Sequence, residues 1–349
     1  MTKIEGSVSK SWLAETLDVK FDRRYYFDPW YRHEVDQQCQ RCVRERLGEL
    51  DLLYTESNLG RRDYHDDSQV LIGGIQPNMI VGLLLGAEFL PHSTADADIS
   101  ANCLASSDVS NLAAPESLLD HPIVRHFDQQ IQKVQEAAPG KLRAIPPFFW
   151  DDSGRAAVHG AVTSGLKFRG DAFFLEMVTE PEQCRQFVQW LTNVSALLVR
   201  HFAQMANVQI QAVHVGECAA CMIDVENFES FVVPATSQLG QHVGPVRFHS
   251  CGSSDHIMSA CSRIQNIASI DVGGETSVAL IREVFGRDFP VSIAPLVDDM
   301  TADSPHDLLA WYERVESEND GGDLTIGYHL ESAYNLDCLR ALHRAVSGS

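Results

Sequence analysis

His249 and Cys251 stand one residue apart at the end of a short apolar run, in Arg247-Phe248-His249-Ser250-Cys251-Gly252. The stretch from Val243 to Phe248 predicts a buried strand, and Gly252 its exit turn. Side chains two apart on a strand point to the same side, so an imidazole and a thiolate can approach one ion. Nitrogen and sulfur donors suit zinc, and a catalytic zinc site keeps one position open for an exogenous ligand. Two ligands make half a site, and by itself the pair also fits a strand-end histidine beside a small buried thiol.

The elements that must position this pair form a repeat of strand and helix. Strands are predicted at 208–215, 243–248, 267–270, 291–293 and 324–327, with helices at 225–240, 254–264, 277–286, 305–316 and 336–346. Ser304 and Pro305 look like the N-cap and first position of one helix. Five such units in a row imply a parallel sheet. The strands end in Glu217, in His249 with Cys251, in Asp271, in Asp298 with Asp299, and in His329 with Glu331. A (β/α)8 barrel brings all strand ends to one rim, whereas an open doubly wound sheet gathers ligands over a narrower crevice. The expected architecture is therefore an α/β TIM barrel over residues 71–349, preceded by a helical extension at 1–70 that packs on it. Carboxylates at βα turns also cap helices. That account suits Asp298, Asp299 and Asp271 better than it suits His249, Cys251 and His329.

The stretch from Val215 to Pro234 resembles the segment of the uroporphyrinogen decarboxylase superfamily in which a strand leads into a helix. Gly160 to Thr163, Gly170, and Phe174 to Glu182 are similar to that superfamily's earlier strand and its helix-Pro-Glu-helix continuation. The likeness runs in order over residues 70–346 and implies a TIM barrel. Decarboxylases of the superfamily carry an arginine-rich N-terminal signature, which the segment from Arg23 to Arg32 does not match. The corrinoid-dependent methyltransferases resemble this chain at His-x-Cys, which implies that His249 and Cys251 are zinc ligands. Their third ligand is a cysteine at the end of the last strand, just after a glycine. This chain has Gly327-Tyr328-His329 there. Histidine is an acceptable zinc ligand, so His329 is the expected third one.

The resemblance thus implies a zinc-dependent methyltransferase. It would move a methyl group between a corrinoid such as methylcobalamin, on a carrier protein, and a thiol or pterin. A metal-independent decarboxylase and a non-catalytic corrinoid-binding relative stay open as alternatives, the latter because the third cysteine is missing.

Other residues have competing roles. Glu217 is a candidate fourth ligand or general acid, or else a helix cap. Asp152, Asp271 and Asp298 are candidate substrate-binding residues at strand ends. Cys218 and Cys221 fit small packing residues at a strand-helix junction, with Cys218 bordering the site. Cys39 and Cys42 fall in a helical pattern, and Asn58, Arg61 and Arg62 could reach the pocket from the extension. Gly273-Gly274 fits no nucleotide fingerprint and suits a tight βα turn.

With 27 Lys and Arg against 48 Asp and Glu, the net charge of −21 argues against nucleic acid as a partner. The first residues lack an apolar core, so no signal peptide is expected. The most apolar window, Val70 to Leu90, is interrupted by Gln76-Pro77-Asn78 and Glu88 and predicts a strand and helix, not a membrane span. Nine cysteines without a secretory signal lead to an expectation of reduced thiols in the cytoplasm.

Overall fold

The computed structural model describes residues 2–50, 68–74, 76–104 and 109–348. Asn58, Arg61 and Arg62 lie outside the described residues. The strands in chain order are β1 (Lys3–Val8), β2 (Gln69–Leu71), β3 (Phe89–Leu90), β4 (Asp98–Ile99), β5 (Arg143–Ile145) and β6 (Arg155–His159), followed by β7 (Ala212–Gly216), β8 (Val246–Ser250), β9 (Ile267–Gly273), β10 (Val291–Ala294) and β11 (Leu324–Leu330). Seven form one parallel sheet in the order β1-β11-β10-β9-β8-β7-β6. β2 pairs with β5, and β3 with β4.

Alternation along each strand separates two layers. In β8, Val246 and Phe248 are buried while Arg247 and His249 are partly exposed, and in β11 Leu324, Ile326 and Leu330 alternate with Thr325, Gly327 and His329 in the same way. The apolar set packs under the helices, where Phe248 meets Phe228 edge-on at 5.9 Å between ring centroids. Each fully buried large apolar side chain contributes about 1.5–3 kcal/mol, so this outer layer holds the sheet. The inner, polar set is left free for chemistry.

The sheet is curled. Flat, it would set β6 about 24 Å from β11, at about 4.8 Å per strand spacing. Instead His159 of β6 and His329 of β11 line one cavity, which requires the TIM-barrel-like curvature. β1 and β6 are its edges, with no ladder between them among the described residues.

The sheet does not begin at residue 71. β1 pairs with β11 from Lys3↔Thr325 to Val8↔Leu330, so the segment expected to be a helical extension supplies a strand as well as helices. Ile4 and Val8 are its only large apolar residues, too few for alternation to register in the sequence. The helix expected at 254–264 is a 3-10 turn, Asp255–Ile257, followed by the short helix Met258–Cys261. Val70 to Leu90 contains β2, the helix Pro77–Leu84 and β3, and no described helix is long and apolar enough to cross a membrane.

Candidate metal centre

Ladder register assembles the site. Gly216 of β7 is opposite His249 of β8, so two residues further on Cys218 comes beside Cys251. The ligand atoms of Cys218, His249 and Cys251 all lie within 4.8 Å of one another. On the other side His249 is opposite Asp271 of β9, and its Nδ1 is 2.9 Å from Asp271 Oδ2. An ionised carboxylate only accepts, so Nδ1–H donates and the second ring nitrogen is left for a ligand. Two thiols and an imidazole backed by a carboxylate make a donor set that fits zinc.

The charges around this trio are tightly linked. Arg247 Nη1 lies 2.9 Å from the same Asp271 oxygen and 3.0 Å from Nδ1 of His214. Burial works against the Asp271 carboxylate, but Arg247 and His249 outweigh it and hold the group well below the usual range. Burial likewise works against the His249 imidazolium, and Asp271 overrides it, raising the pKa to about 9. The Cys251 thiol is pulled down by hydrogen bonds with Cys218 and His249. Cys218 is pushed up because its thiol donates that bond, and by burial. A metal bound here would therefore release protons from Cys218 and His249. A second trio, His214, His249 and Asp271, also comes within 4.8 Å. The Arg247 guanidinium already sits against two of its members, so a cation there meets like charge.

The structure places the expected third ligand elsewhere. His329 lines the same two cavities as His249. Its Nδ1 is 2.6 Å from Ser7 Oγ on β1, and it is not part of the trio. Cys218, expected to be a packing residue, is the third member of that cluster.

Glu217 is 1 % exposed, and its oxygens accept from Val162 N at 2.9 Å and Thr163 N at 3.0 Å. It thereby caps the helix Ala161–Arg169, whose own N-cap is Gly160. A Cβ at residue 160 would stand 2.1 Å from the carboxylate, which is why that position holds glycine. Burial pushes the Glu217 pKa up, against those bonds. Each oxygen accepts one backbone N–H, so the geometry shown for Glu217 is that of a helix cap. The helix it caps is also not the one that follows it.

Of the aspartates, Asp271 backs His249 rather than standing free for substrate. Asp152 pairs with Arg143, and Asp298 is exposed in the first turn of the short helix Val297–Thr301. Neither lines the cavities beside His249.

Two cavities meet at His249. One of about 300 Å³ is lined by His159, His214, Gly216, Cys218 and His329, and one of about 140 Å³ by Glu5, Ser7, Arg247, Asp271 and Thr325. His159, His214 and Arg247 were not expected at the site. For His214 and Arg247 the signal was their parity on strands already predicted.

No protein-family model matches the chain, and no curated protein matches its sequence. Among solved structures, a methyltransferase from Methanosarcina mazei is similar over 99 % of this chain and 94 % of its own, with a TM-score of 0.66 and 12 % identity. A B12-independent methionine synthase from Shewanella sp. W3-18-1 is similar over 63 % of this chain and 64 % of its own, with a TM-score of 0.39 and 11 % identity. That second likeness is too loose to carry an argument. The first shows that this chain shares, over nearly its full length, the curled parallel α/β fold of the Methanosarcina protein.

Proposed function

We propose that this protein is a zinc-dependent methyltransferase, moving a methyl group between a corrinoid on a carrier protein and a thiol or pterin acceptor. The observation that carries the reading is the Cys218–His249–Cys251 trio with Asp271 on the second nitrogen of His249. Zinc held by these residues would keep an acceptor thiol in its nucleophilic thiolate form near neutral pH. Asp271 orients the His249 ring, and the Arg247 guanidinium holds Asp271 ionised. Cys251 is exposed, so a reactant on a partner protein can approach the trio. The cavity of about 300 Å³ beside Cys218 suits a small acceptor. The fold likeness to a protein described as a methyltransferase supports the reading, as does the His-x-Cys resemblance.

The test is elemental analysis of the purified native chain and of Cys251→Ala, followed by methylcobalamin with a panel of small thiols. The expected result is about one zinc per chain, lost in the variant, and a change in corrinoid absorbance that requires both zinc and thiol. A folded native chain that takes up no zinc when it is added back would overturn the reading and favour the metal-free decarboxylase. Zinc without methyl transfer would favour the non-catalytic relative.

A further inference from the structure

His159 of β6 and His214 of β7 face the larger cavity beside Cys218 and His249, and hydrogen bonding sets the tautomer of each. A guanidinium can only donate, so Nδ1 of His214, 3.0 Å from Arg247 Nη1, is an acceptor. Nδ1 of His159 accepts from the backbone N–H of Asn78 at 3.4 Å. In both rings the proton is therefore on Nε2. Neither Nε2–H meets a protein acceptor among the described residues.

The rings converge over Gly216. A Cβ at that position would lie 3.9 Å from Cδ2 of His159 and 4.0 Å from Nε2 of His214, so the glycine keeps the space beside both rings clear of a side chain. Unmet donors lining a cavity favour an incoming acceptor atom. The cavity lining carries no lysine or arginine, and Arg247 is engaged by Asp271 and His214. Asp96 and His249 also line this cavity, so the two N–H donors meet an incoming acceptor with no lysine or arginine of the lining to pair with it.

We propose that His159 and His214 form a paired N–H site over Gly216 that binds an acceptor oxygen of the substrate, as in a carboxylate or carbonyl, next to the metal-binding trio. The proposal rests on the metal-centre reading for the neighbouring thiol position, but not for the donors themselves. It makes both histidines specificity-determining residues.

Gly216→Ala is the sharpest probe. The added methyl meets its nearest neighbour, Val158 O, at 3.7 Å, an ordinary contact, yet it stands beside both histidine rings. The zinc-loaded native chain, Gly216→Ala, His159→Phe and His159→Gln are titrated calorimetrically with 3-mercaptopropionate and with 1-propanethiol. Zinc content is measured on the same samples. The native chain is expected to prefer the oxygen-bearing thiol by about tenfold. Gly216→Ala and His159→Phe lose that preference, His159→Gln regains it through its amide N–H, and zinc content stays unchanged throughout. An undiminished preference in Gly216→Ala with zinc in place overturns the proposal. Should the native chain hold no zinc, the function above fails independently. The donor pair is then tested with acetate through histidine ¹⁵N shifts: movement of both Nε2 signals supports it, and no movement overturns it.

Discussion

Two walls of the curled sheet, β7–β8–β9 and β11–β1, each present a histidine to the same cavities, and they differ in what stands around the ring. His249 has a carboxylate on one nitrogen and two thiols within reach. His329 has the Ser7 hydroxyl on Nδ1, and burial lowers its pKa. A carboxylate partner raises the ligand strength of an imidazole, so the first wall is the one whose donors fit the proposed metal. The contrast teaches that this ligand set forms across one rung of neighbouring strands. Analogy with another family's last strand pointed to the opposite wall.

The contrast is most exposed to ligand removal. Cys218→Ala is expected to abolish stoichiometric zinc by elemental analysis while His329→Ala retains it, and the opposite pattern would move the centre to the β11–β1 wall. Next in size is the apolar layer behind each wall. Phe248→Ala should cost about 3–5 kcal/mol in denaturant unfolding, and Ile326→Val about 0.5–1.5 kcal/mol. A loss well below about 1 kcal/mol in Phe248→Ala would show that the outer layer does not hold the sheet.

Asp271→Asn should weaken zinc affinity by about 10–100-fold in competition with a chelator. Ser7→Ala, on the other wall, should leave it unchanged. A smaller effect is expected at Glu217→Gln, where an amide replaces one acceptor at the N-terminus of helix Ala161–Arg169. Stability should fall by about 1 kcal/mol with zinc content intact, and loss of zinc would restore Glu217 as a ligand.

The smallest effect tests a remote group. Burial lowers the pKa of His126 in the folded chain, so below the ordinary value of about 6.5 the unfolded chain binds more protons at this group. Its contribution to stability therefore falls as pH falls through that window. Denaturation of the zinc-free protein across the window should show a shallower acid slope in His126→Gln, and an unchanged slope would remove His126 from the account.

Much of the fold was legible because it is local. The strands at 246–250, 267–273, 291–294 and 324–330 and most of the helices between them overlap the predicted segments, since outward-facing apolar residues alternate with polar ones. β1 was not legible, because a strand held mainly by backbone pairing to β11 shows little apolar pattern. At the site, His249 and Cys251 were legible together, because spacing by two puts them on one side of one strand whatever surrounds it. Which helix Glu217 caps was not legible, because the N-terminus of helix Ala161–Arg169 lies more than fifty residues earlier.

The sequence by itself determined the strand-helix order, the polar parity of the sheet's inner face and the His-x-Cys pair. Each depends only on chain geometry within a few residues. The tertiary structure decided that Cys218 and not His329 clusters with the pair, that Asp271 backs His249, and that Gly216 lies beside two histidines. Those outcomes follow from the register of one strand against the next. Backbone pairing and packing of the outer apolar layer set that register between residues far apart in the chain.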